Sequence, residues 1–396
     1  MNNEIYDINI LRNIILESQH LLERSTESIE KITSDICGLQ YDPNPMIHLN
    51  QYMVLWNRIK DFKAEDLDIA AYKDFRVVET WTFKRNMFFV PRDEYSLYKH
   101  ATKGITRWGG SDEDWLKWGD SPEMRETENE LKEKLSGFGG LTINQIWENL
   151  DLSYEWHKFR RVHVQSYDLP IFRAFNRMCR RGDILVCGRN PGTFREPIYI
   201  LKEKVGFSDW TKDGIDDKEA IKCVIEKLIA SFGITDPVHI SHISGYKSAE
   251  IRPIFDELEA ENRIQKLSQK ISRKYYYIHF SKVRLLNEKV AEKPSEVRLI
   301  SPMDTIVRDK AWLEAFFDYS FTFEYFKKKG MKWPLSILVG NQFVGYIDCK
   351  MDWKTGKFRI KEKNIFNPDF IDHKGIELAI QDLASFHGAK EISDNR

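Results

Sequence analysis

Two stretches in the middle of the chain carry the same features in the same order, and this repetition limits the possible fold more than any other feature does. Each begins with an amphipathic helix that ends at a Phe-Gly pair, at Phe138-Gly139 and at Phe232-Gly233. A short helix follows, then a second helix with a Pro-Ile-Phe sequence at residues 170–172 or 253–255, and two β-rich pieces close the stretch. Helix, turn, helix and hairpin is the order of a winged helix, so we predict two such motifs.

The regions before and after the repeat complete the predicted organisation. Helical periodicity over residues 5–22 and 46–59, followed by a hairpin, predicts a third winged helix at the N-terminus. Beyond Pro294, aromatic and β-branched runs separated by tight turns predict a β unit, which a helix over residues 375–386 closes. The predicted fold class is therefore α+β, with tandem winged-helix (helix-turn-helix) motifs and a C-terminal β unit. The predicted domains are residues 1–110, 111–210, 211–290 and 291–396.

Charge is distributed unevenly along the 396 residues, although the whole chain has a formal charge of only -1. Residues 112–133 hold nine acids and three bases, a net charge of -6. Residues 154–195 hold nine bases and three acids, and residues 263–284 hold seven bases and no acid. Bases on a recognition helix and wing would neutralise DNA phosphates, whereas a solvated surface is the alternative explanation. We predict binding to double-stranded DNA through Arg160, Arg161, Arg177, Arg180, Lys266, Arg273 and Lys274.

Composition also bears on location and cofactors. The chain has no run of about 18 apolar residues that could span a membrane, and its first residues lack the basic region of a secretory signal. Its five cysteines form no Cys-x-x-Cys pair, which argues against a disulfide framework and a zinc knuckle. His239 and His242 have His-x-x-His spacing without a third ligand, which favours a structural role. We expect a cytoplasmic, nucleoid-associated monomer without a metal or cofactor.

The best candidate for chemistry is the sequence Gln40-Tyr41-Asp42, which directly precedes Pro43. A residue before proline is disfavoured in the helical region, so the segment should be extended. Side chains alternate in an extended chain, which places Gln40 and Asp42 on one face. An amide and a carboxylate there could hold a water, with the carboxylate as proton acceptor and as counter-charge to a cationic transition state. The alternative is that Asp42 merely caps a helix that starts at Pro43.

Several short motifs resemble one known family. Residues 38–43 (GLQYDP) and 52–58 (YMVLWNR) are similar to the Gln-apolar-Asp signature and the following helix of the crosslink-repair DNA glycosylases of the YcaQ/AlkZ type. Further similar segments are residues 11–13 (LRN) with Gln19, the hairpin at 79–92, and residues 299–304 (LISPMD), 317–320 (FDYS) and 344–350 (VGYIDCK). The resemblance spans nearly the whole chain and is weakest between about residues 100 and 290.

The resemblance implies three tandem winged helices, a C-terminal β-barrel, and a monofunctional glycosylase that removes N7-alkylated purines and unhooks interstrand crosslinks in DNA repair. It places the catalytic pair on Gln40 and Asp42. Asp42 would activate a water or stabilise the oxocarbenium ion, and Gln40 would orient that water. The positive charge of an N7-alkylated base already makes it a good leaving group. An open cleft suits crosslinks, because they are too bulky for a tight base-flipping pocket.

The sequence departs from the family pattern at two places. Where the family often carries Trp-x-His, Trp81 is followed by Thr82 and Phe83, and Leu49 stands where an Arg is common. If these positions contact the substrate or a phosphate, the departures change the lesion preference or abolish the activity. The alternative function is a non-catalytic winged-helix DNA-binding transcriptional regulator, which would give a sequence-specific footprint without base release. A protein-interaction module, as a third class, would bind no DNA even at low salt.

Overall fold

The structure is a computed structural model, and it describes residues 5–42, 49–102, 122–149, 170–190, 195–206, 214–287, 296–320 and 333–394. Over these ranges the chain has the α+β composition that the sequence predicted. It divides into two compact units, unit 1 with residues 1–64 and 222–396, and unit 2 with residues 65–221. The four domains inferred from the sequence have other boundaries than these two units and stay a prediction. Within the described ranges, none of the helices combines the length and apolar character that crossing a bilayer requires.

Helices are distributed along the whole described chain. They are α1 (Ile8–Ser18), α2 (Ile29–Asp35), α3 (Asn50–Trp56), α4 (Ala64–Asp68), α5 (Tyr95–Thr102), α6 (Pro122–Ser136), α7 (Ile143–Asn149), α8 (Pro170–Arg181), α9 (Asp217–Phe232), α10 (Pro237–Ser244), α11 (Ser248–Ala260), α12 (Lys310–Phe317) and α13 (Lys374–Phe386). Short 3-10 turns add to these, among them Thr305–Val307.

Strands are short before residue 260 and longer near the C-terminus. They are β1 (Leu39–Gln40), β2 (Val77–Trp81), β3 (Met87–Pro91), β4 (Leu141–Thr142), β5 (Ile184–Arg189), β6 (Pro197–Leu201), β7 (Ile234–Thr235), β8 (Ile264–Ile271), β9 (Lys274–His279), β10 (Val297–Ile300), β11 (Pro334–Val339), β12 (Gln342–Asp352), β13 (Lys357–Ile365) and β14 (Glu391–Asp394).

The repeat seen in the sequence has a structural counterpart. The first stretch runs through α6, β4, α7, α8, β5 and β6, and the second through α9, β7, α10, α11, β8 and β9. Each ends in a small antiparallel sheet whose strand order is first, third, second: β4-β6-β5 and β7-β9-β8. The predicted order of elements is therefore confirmed for the described residues of both stretches.

The glycine of the second Phe-Gly pair explains why that helix ends where it does. Gly233 has a φ of 70°, in the left-handed region that side chains disfavour, and its N–H donates to the Ile229 carbonyl at 2.9 Å. A Cβ at this position would lie 2.5 Å from the Ser18 Oγ atom of α1. Both the turn and the close approach of α1 therefore require glycine.

In unit 1 the C-terminal strands form one sheet in the order β10-β11-β12-β13-β14. The first four strands are antiparallel neighbours, whereas β14 joins β13 in parallel. Parallel neighbours need a crossover connection, and α13 supplies it while burying Ile376, Ile380 and Leu383. A closed barrel requires the first and last strands to pair. In the described residues β10 and β14 occupy opposite edges, so the barrel implied by the resemblance is not found and the sheet is open.

In unit 2 the predicted hairpin is present as β2 and β3, with Val77 opposite Pro91. Glu79 of β2 is buried, and it accepts a hydrogen bond from the Tyr72 hydroxyl at 2.7 Å. Its carboxylate also forms an ion pair with Arg189 of β5, which joins the hairpin to the second small sheet of the same unit. Two partners thus offset the cost of burying this charge.

Candidate active site

Gln40 lies at the end of the two-residue strand β1 in unit 1. The turn before it contains Cys37 and Gly38, both with positive φ, and it leads the chain out of α2. The backbone carbonyl of Gln40 accepts a hydrogen bond from the Asn50 side-chain amide at 3.0 Å. The Gln40 side chain is 6% exposed, and its Oε1 atom has no hydrogen-bond partner among the described residues. A buried amide oxygen without a partner is costly unless a ligand or water satisfies it.

Asp42 lies two residues further along and is half-buried. Its backbone N–H donates to Oε1 of Gln51 over 3.4 Å, a long hydrogen bond. Asn50 and Gln51 are consecutive residues of the first turn of α3, and both are buried. One helix end therefore holds the backbone on both sides of Tyr41. The helix that Asp42 would cap in the alternative interpretation falls on residues 43–48, outside the described residues, and α3 itself has Leu49 at its N-cap without a side-chain hydrogen bond.

The C-terminal end of α3 is anchored equally firmly. The Asn57 side chain donates to the Leu299 carbonyl at 2.9 Å and accepts from the Leu299 N–H at 3.2 Å, so it pairs with β10 as a strand residue would. Arg58 is fully buried and donates two hydrogen bonds to the carboxylate of Asp304, at 2.7 and 3.0 Å. It also donates to the backbone carbonyl of Gln19 at 2.8 Å. The helix after the Gln-x-Asp signature is therefore fixed to the strand and turn at residues 297–304.

These contacts bring together sequence motifs that are far apart along the chain. Gln19, Arg58 and Asp304, each from a different similar segment, form one buried cluster. Asn13, from the same segment as Gln19, accepts a hydrogen bond at 2.9 Å from Asn341, in the turn between β11 and β12. The motifs therefore build the framework behind Gln40 and Asp42. Sequence reasoning missed Asn50, Gln51 and Arg308 as possible parts of the site. The sequence did contain a signal for Asn50 and Gln51, because they are two adjacent amides at the start of an otherwise apolar helix.

The two departures from the family pattern are both apolar core positions within their own units. Phe83 is buried and packs edge-on against Phe88 and Tyr98, with ring centroids 5.8 and 5.9 Å apart. Leu49 is also buried, immediately before α3. At both positions hydrophobic burial accounts for the residue, because a large apolar side chain gains about 1.5–3 kcal/mol when it leaves water.

Two of the predicted DNA contacts in unit 2, Arg177 and Arg180, lie on α8. Arg160 and Arg161 lie outside the described residues, and for Arg180 only the backbone, on α8, is described. The Nε atom of Arg177 lies 3.1 Å from the carboxylate of Glu128 on α6. Arg181 donates to both oxygens of the same carboxylate, at 3.0 and 2.8 Å. An acid of α6 thus neutralises part of the positive charge of α8 in the unbound protein.

The predicted DNA contacts in unit 1 lie on the hairpin of β8 and β9. Ser272 and Arg273 form its two-residue turn with φ values of 48° and 67°, a conformation typical of tight hairpins. Arg273 and Lys274 are exposed at the tip. Lys266 places its Nζ atom 4.4 Å from the ring centroid of Tyr275, which is 43% exposed. The tip therefore presents cations and an aromatic ring together, the combination that nucleic-acid backbones and bases bind.

The two histidines with metal-like spacing have separate surroundings. His239 is buried, stacks on Trp312 with centroids 4.5 Å apart, and shares a hydrogen bond with the Thr235 hydroxyl at 2.7 Å. Burial lowers the pKa of His239 to about 3, so its ring is neutral at neutral pH. His242 instead contacts the carboxylate of Asp309 at 3.0 Å. The part of the chain that the structure describes contains no cluster of three side chains suited to a metal ion.

Both the sequence and the fold match known proteins. Residues 33–386 match the family described as DNA glycosylase AlkZ-like. The fold is similar to that of the Streptomyces sahachiroi DNA glycosylase AlkZ, with a TM-score of 0.65 over 98% of this chain and 98% of that chain, at 13% sequence identity. The family match covers most of the chain, including Gln40, Asp42, Arg58 and Asp304. The chain therefore belongs to the AlkZ-like DNA glycosylase family, and it is an enzyme that acts on DNA in DNA repair.

Proposed function

We propose that this glycosylase hydrolyses the N-glycosidic bond of N7-alkylated purines and unhooks interstrand crosslinks, with Gln40 and Asp42 as its catalytic pair. The observation that carries the proposal is the buried Oε1 atom of Gln40, which has no partner among the described residues and lies two residues from a half-buried carboxylate. A water that donates one hydrogen bond to Gln40 and another to Asp42 would satisfy the buried Gln40 oxygen. Such a water would be positioned to act as the nucleophile that attacks C1′.

In this mechanism the chain supplies positioning and charge. Asp42 accepts a proton from the water as the water attacks C1′, and its negative charge stabilises the oxocarbenium-like sugar. Gln40 accepts a hydrogen bond from the other O–H of the water, and this bond directs the lone pair of the water oxygen towards C1′. The alkylated base departs as a neutral molecule because it carries a positive charge before cleavage. The chain therefore needs no strong general acid for the leaving group.

DNA binding is proposed to use the basic residues of the two repeated stretches, read as winged helices, with a third winged helix at the N-terminus. Lys266, Arg273 and Lys274 on the exposed hairpin of unit 1 would each neutralise a phosphate. Arg160, Arg161, Arg177 and Arg180 would do so in unit 2, where Arg177 must compete with its contact to Glu128. We propose a monomeric, cytoplasmic enzyme. The family assignment supports the enzyme and gives no support to a non-catalytic regulator.

The test measures release of 7-methylguanine and unhooking of a nitrogen-mustard crosslink under single-turnover conditions. Asp42→Asn keeps the shape of the side chain but removes its charge and basicity, and we expect a rate at least about a hundred-fold lower than that of the wild type. Asp382→Asn is the matched control, because it neutralises an exposed aspartate that pairs with Arg24 at 3.1 Å. Equal rates for wild type and Asp42→Asn would refute the assignment of Asp42, and no release by either would refute the lesion class.

A further inference from the structure

Arg308 occupies an unusual position in unit 1. It follows the 3-10 turn Thr305–Val307, and its backbone N–H donates to the Thr305 carbonyl at 3.3 Å. Its side chain is half-buried. Within the described ranges its guanidinium makes neither a hydrogen bond nor an ion pair, whereas the buried Arg58, which pairs with Asp304, makes several hydrogen bonds. A guanidinium carries five donors, so an unused one in a partly buried setting is available to a ligand.

Two carboxylates interact electrostatically with Arg308, those of Asp304 and Asp42. Asp304 is already neutralised, because Arg58 donates to both of its oxygens and its Oδ1 atom also accepts from the Ile306 N–H at 3.3 Å. The position of Arg308 is fixed by the same contacts, since the turn that carries it begins at Asp304. Arg308 is therefore held in a defined place within electrostatic range of Asp42.

Keeping Arg308 charged costs free energy in the unbound protein, because burial removes part of its hydration. Burial lowers the pKa of Arg308 to about 10, although the charges of Asp304 and Asp42 act in the opposite direction. The side chain remains a cation at neutral pH, yet loss of hydration outweighs the attraction of both carboxylates. A cation in this situation gains most from an anion that brings its own hydrogen-bond acceptors.

We propose that Arg308 binds a backbone phosphate of the damaged strand, next to the nucleotide whose glycosidic bond faces Asp42. The proposal rests on the proposed function, because that function brings DNA to Asp42. A phosphodiester matches the planar donor array of a guanidinium, which binds two oxygens at once. Phosphate binding by Arg308 also explains how an anionic strand approaches the anionic Asp42. A cation within range of both reduces the repulsion between the phosphate and the Asp42 carboxylate.

The experiment measures binding of a duplex that contains a tetrahydrofuran abasic analogue, by fluorescence anisotropy across a salt titration. For Arg308→Gln we expect a Kd about ten- to a hundred-fold higher and a slope of log K against log salt smaller by about 0.9. Arg308→Lys keeps one charge, so the slope should recover while part of the affinity loss remains. Arg359→Gln is the matched control, because Arg359 pairs with Asp352 at 3.2 Å on the C-terminal sheet, and its Kd and slope should not change.

The result that overturns the proposal is an unchanged Kd and salt slope for Arg308→Gln. A slower single-turnover base release with unchanged binding would equally overturn it, since Arg308 would then act on Asp42 and not on a phosphate. If Arg308→Gln does not fold, Arg308→Lys still tests the proposal. For that variant the proposal predicts an unchanged salt slope and a raised Kd. Repeating the comparison in an Asp42→Asn background should reduce the penalty of Arg308→Gln, as the repulsion is gone. The Kd and the salt slope are binding measurements on an abasic analogue, so they stay interpretable even if the protein releases no base.

Discussion

Arg58 and Asp304 form a buried ion pair with two hydrogen bonds, at 2.7 and 3.0 Å, between residues 246 positions apart in the sequence. Neither side chain has measurable exposure to solvent. The pair fixes the helix after the Gln-x-Asp signature to the turn that carries Arg308. It therefore links the candidate catalytic segment to the C-terminal part of unit 1.

Removing one partner of this pair should destabilise the protein strongly. Asp304→Asn leaves the Arg58 charge buried and uncompensated, so we expect the free energy of unfolding to fall by about 3–5 kcal/mol. Asp382→Asn breaks the exposed pair with Arg24 and should cost under about 1 kcal/mol. Urea unfolding followed by circular dichroism measures both values. The double variant Arg58→Met, Asp304→Asn should lose less than the sum of the single variants, and similar losses for Asp304→Asn and Asp382→Asn would show that the buried pair is unimportant.

Asn50 should affect catalysis through the position of Gln40. Asn50→Ala removes the hydrogen bond of 3.0 Å to the Gln40 carbonyl, and we expect single-turnover base release to slow by up to about ten-fold while the Kd for DNA stays within about two-fold. Asn341→Ala is the control, because it removes a comparable amide hydrogen bond of 2.9 Å to Asn13 in the same unit. That variant should lose stability and keep its rate. Equal effects of the two variants on the rate would contradict a specific role for Asn50.

Acidification should destabilise unit 1 through His239. The pKa of His239 is lowered from 6.5 to about 3 by burial, so the unfolded chain takes up this proton below about pH 6.5 while the folded chain does not until about pH 3. The stability contribution is therefore complete above pH 6.5 and is lost as the pH falls towards 3, by up to roughly 5 kcal/mol. The groups that face His239 are Thr235, Trp312, Asp309 and His242.

The measurement for His239 is a series of urea midpoints from pH 7 to pH 4, for the wild type and His239→Gln. The difference between the two proteins should shrink as the pH falls, because only the wild type loses stability through this group. Asp309 also makes the folded protein less stable as the pH falls, but at a lower pH than His239 does. Its burial is outweighed by hydrogen bonds from His242 and the Trp312 N–H, which lower the pKa of Asp309 to about 2. A constant difference between the two proteins would show that the imidazole is protonated when folded.

Glu128 should limit the contribution of Arg177 to DNA binding. In the wild type, Arg177 lies 3.1 Å from Glu128, so Arg177→Gln should weaken binding of a duplex by less than about two-fold at low salt. In a Glu128→Gln background the ion pair with Glu128 no longer competes with phosphates, and the same substitution should cost roughly five- to ten-fold. A double-mutant cycle by fluorescence anisotropy checks this coupling. Identical effects in both backgrounds would mean that Glu128 and DNA do not compete for Arg177.

Much of the local structure was predictable from the sequence, because it depends on neighbours along the chain. The two stretches with Phe-Gly and Pro-Ile-Phe carry the predicted order of helices and strands, and the hairpin of β2 and β3 begins and ends close to its predicted limits. Gln40 was correctly expected to be extended, since turn and proline restrictions act on adjacent residues.

The contacts that make a site out of these elements were decided only by the tertiary structure. Pairing of Arg58 with Asp304, and of Arg177 with Glu128, depends on which distant elements pack together, and no local preference encodes that choice. The open order of the C-terminal sheet follows from the edge at which α13 returns β14, which strand propensity does not specify. The sequence by itself thus determined the residue types and the local geometry of the candidate catalytic segment. Only the folded chain placed the Arg308 cation within electrostatic range of Asp42, because long-range packing sets the distance between charges.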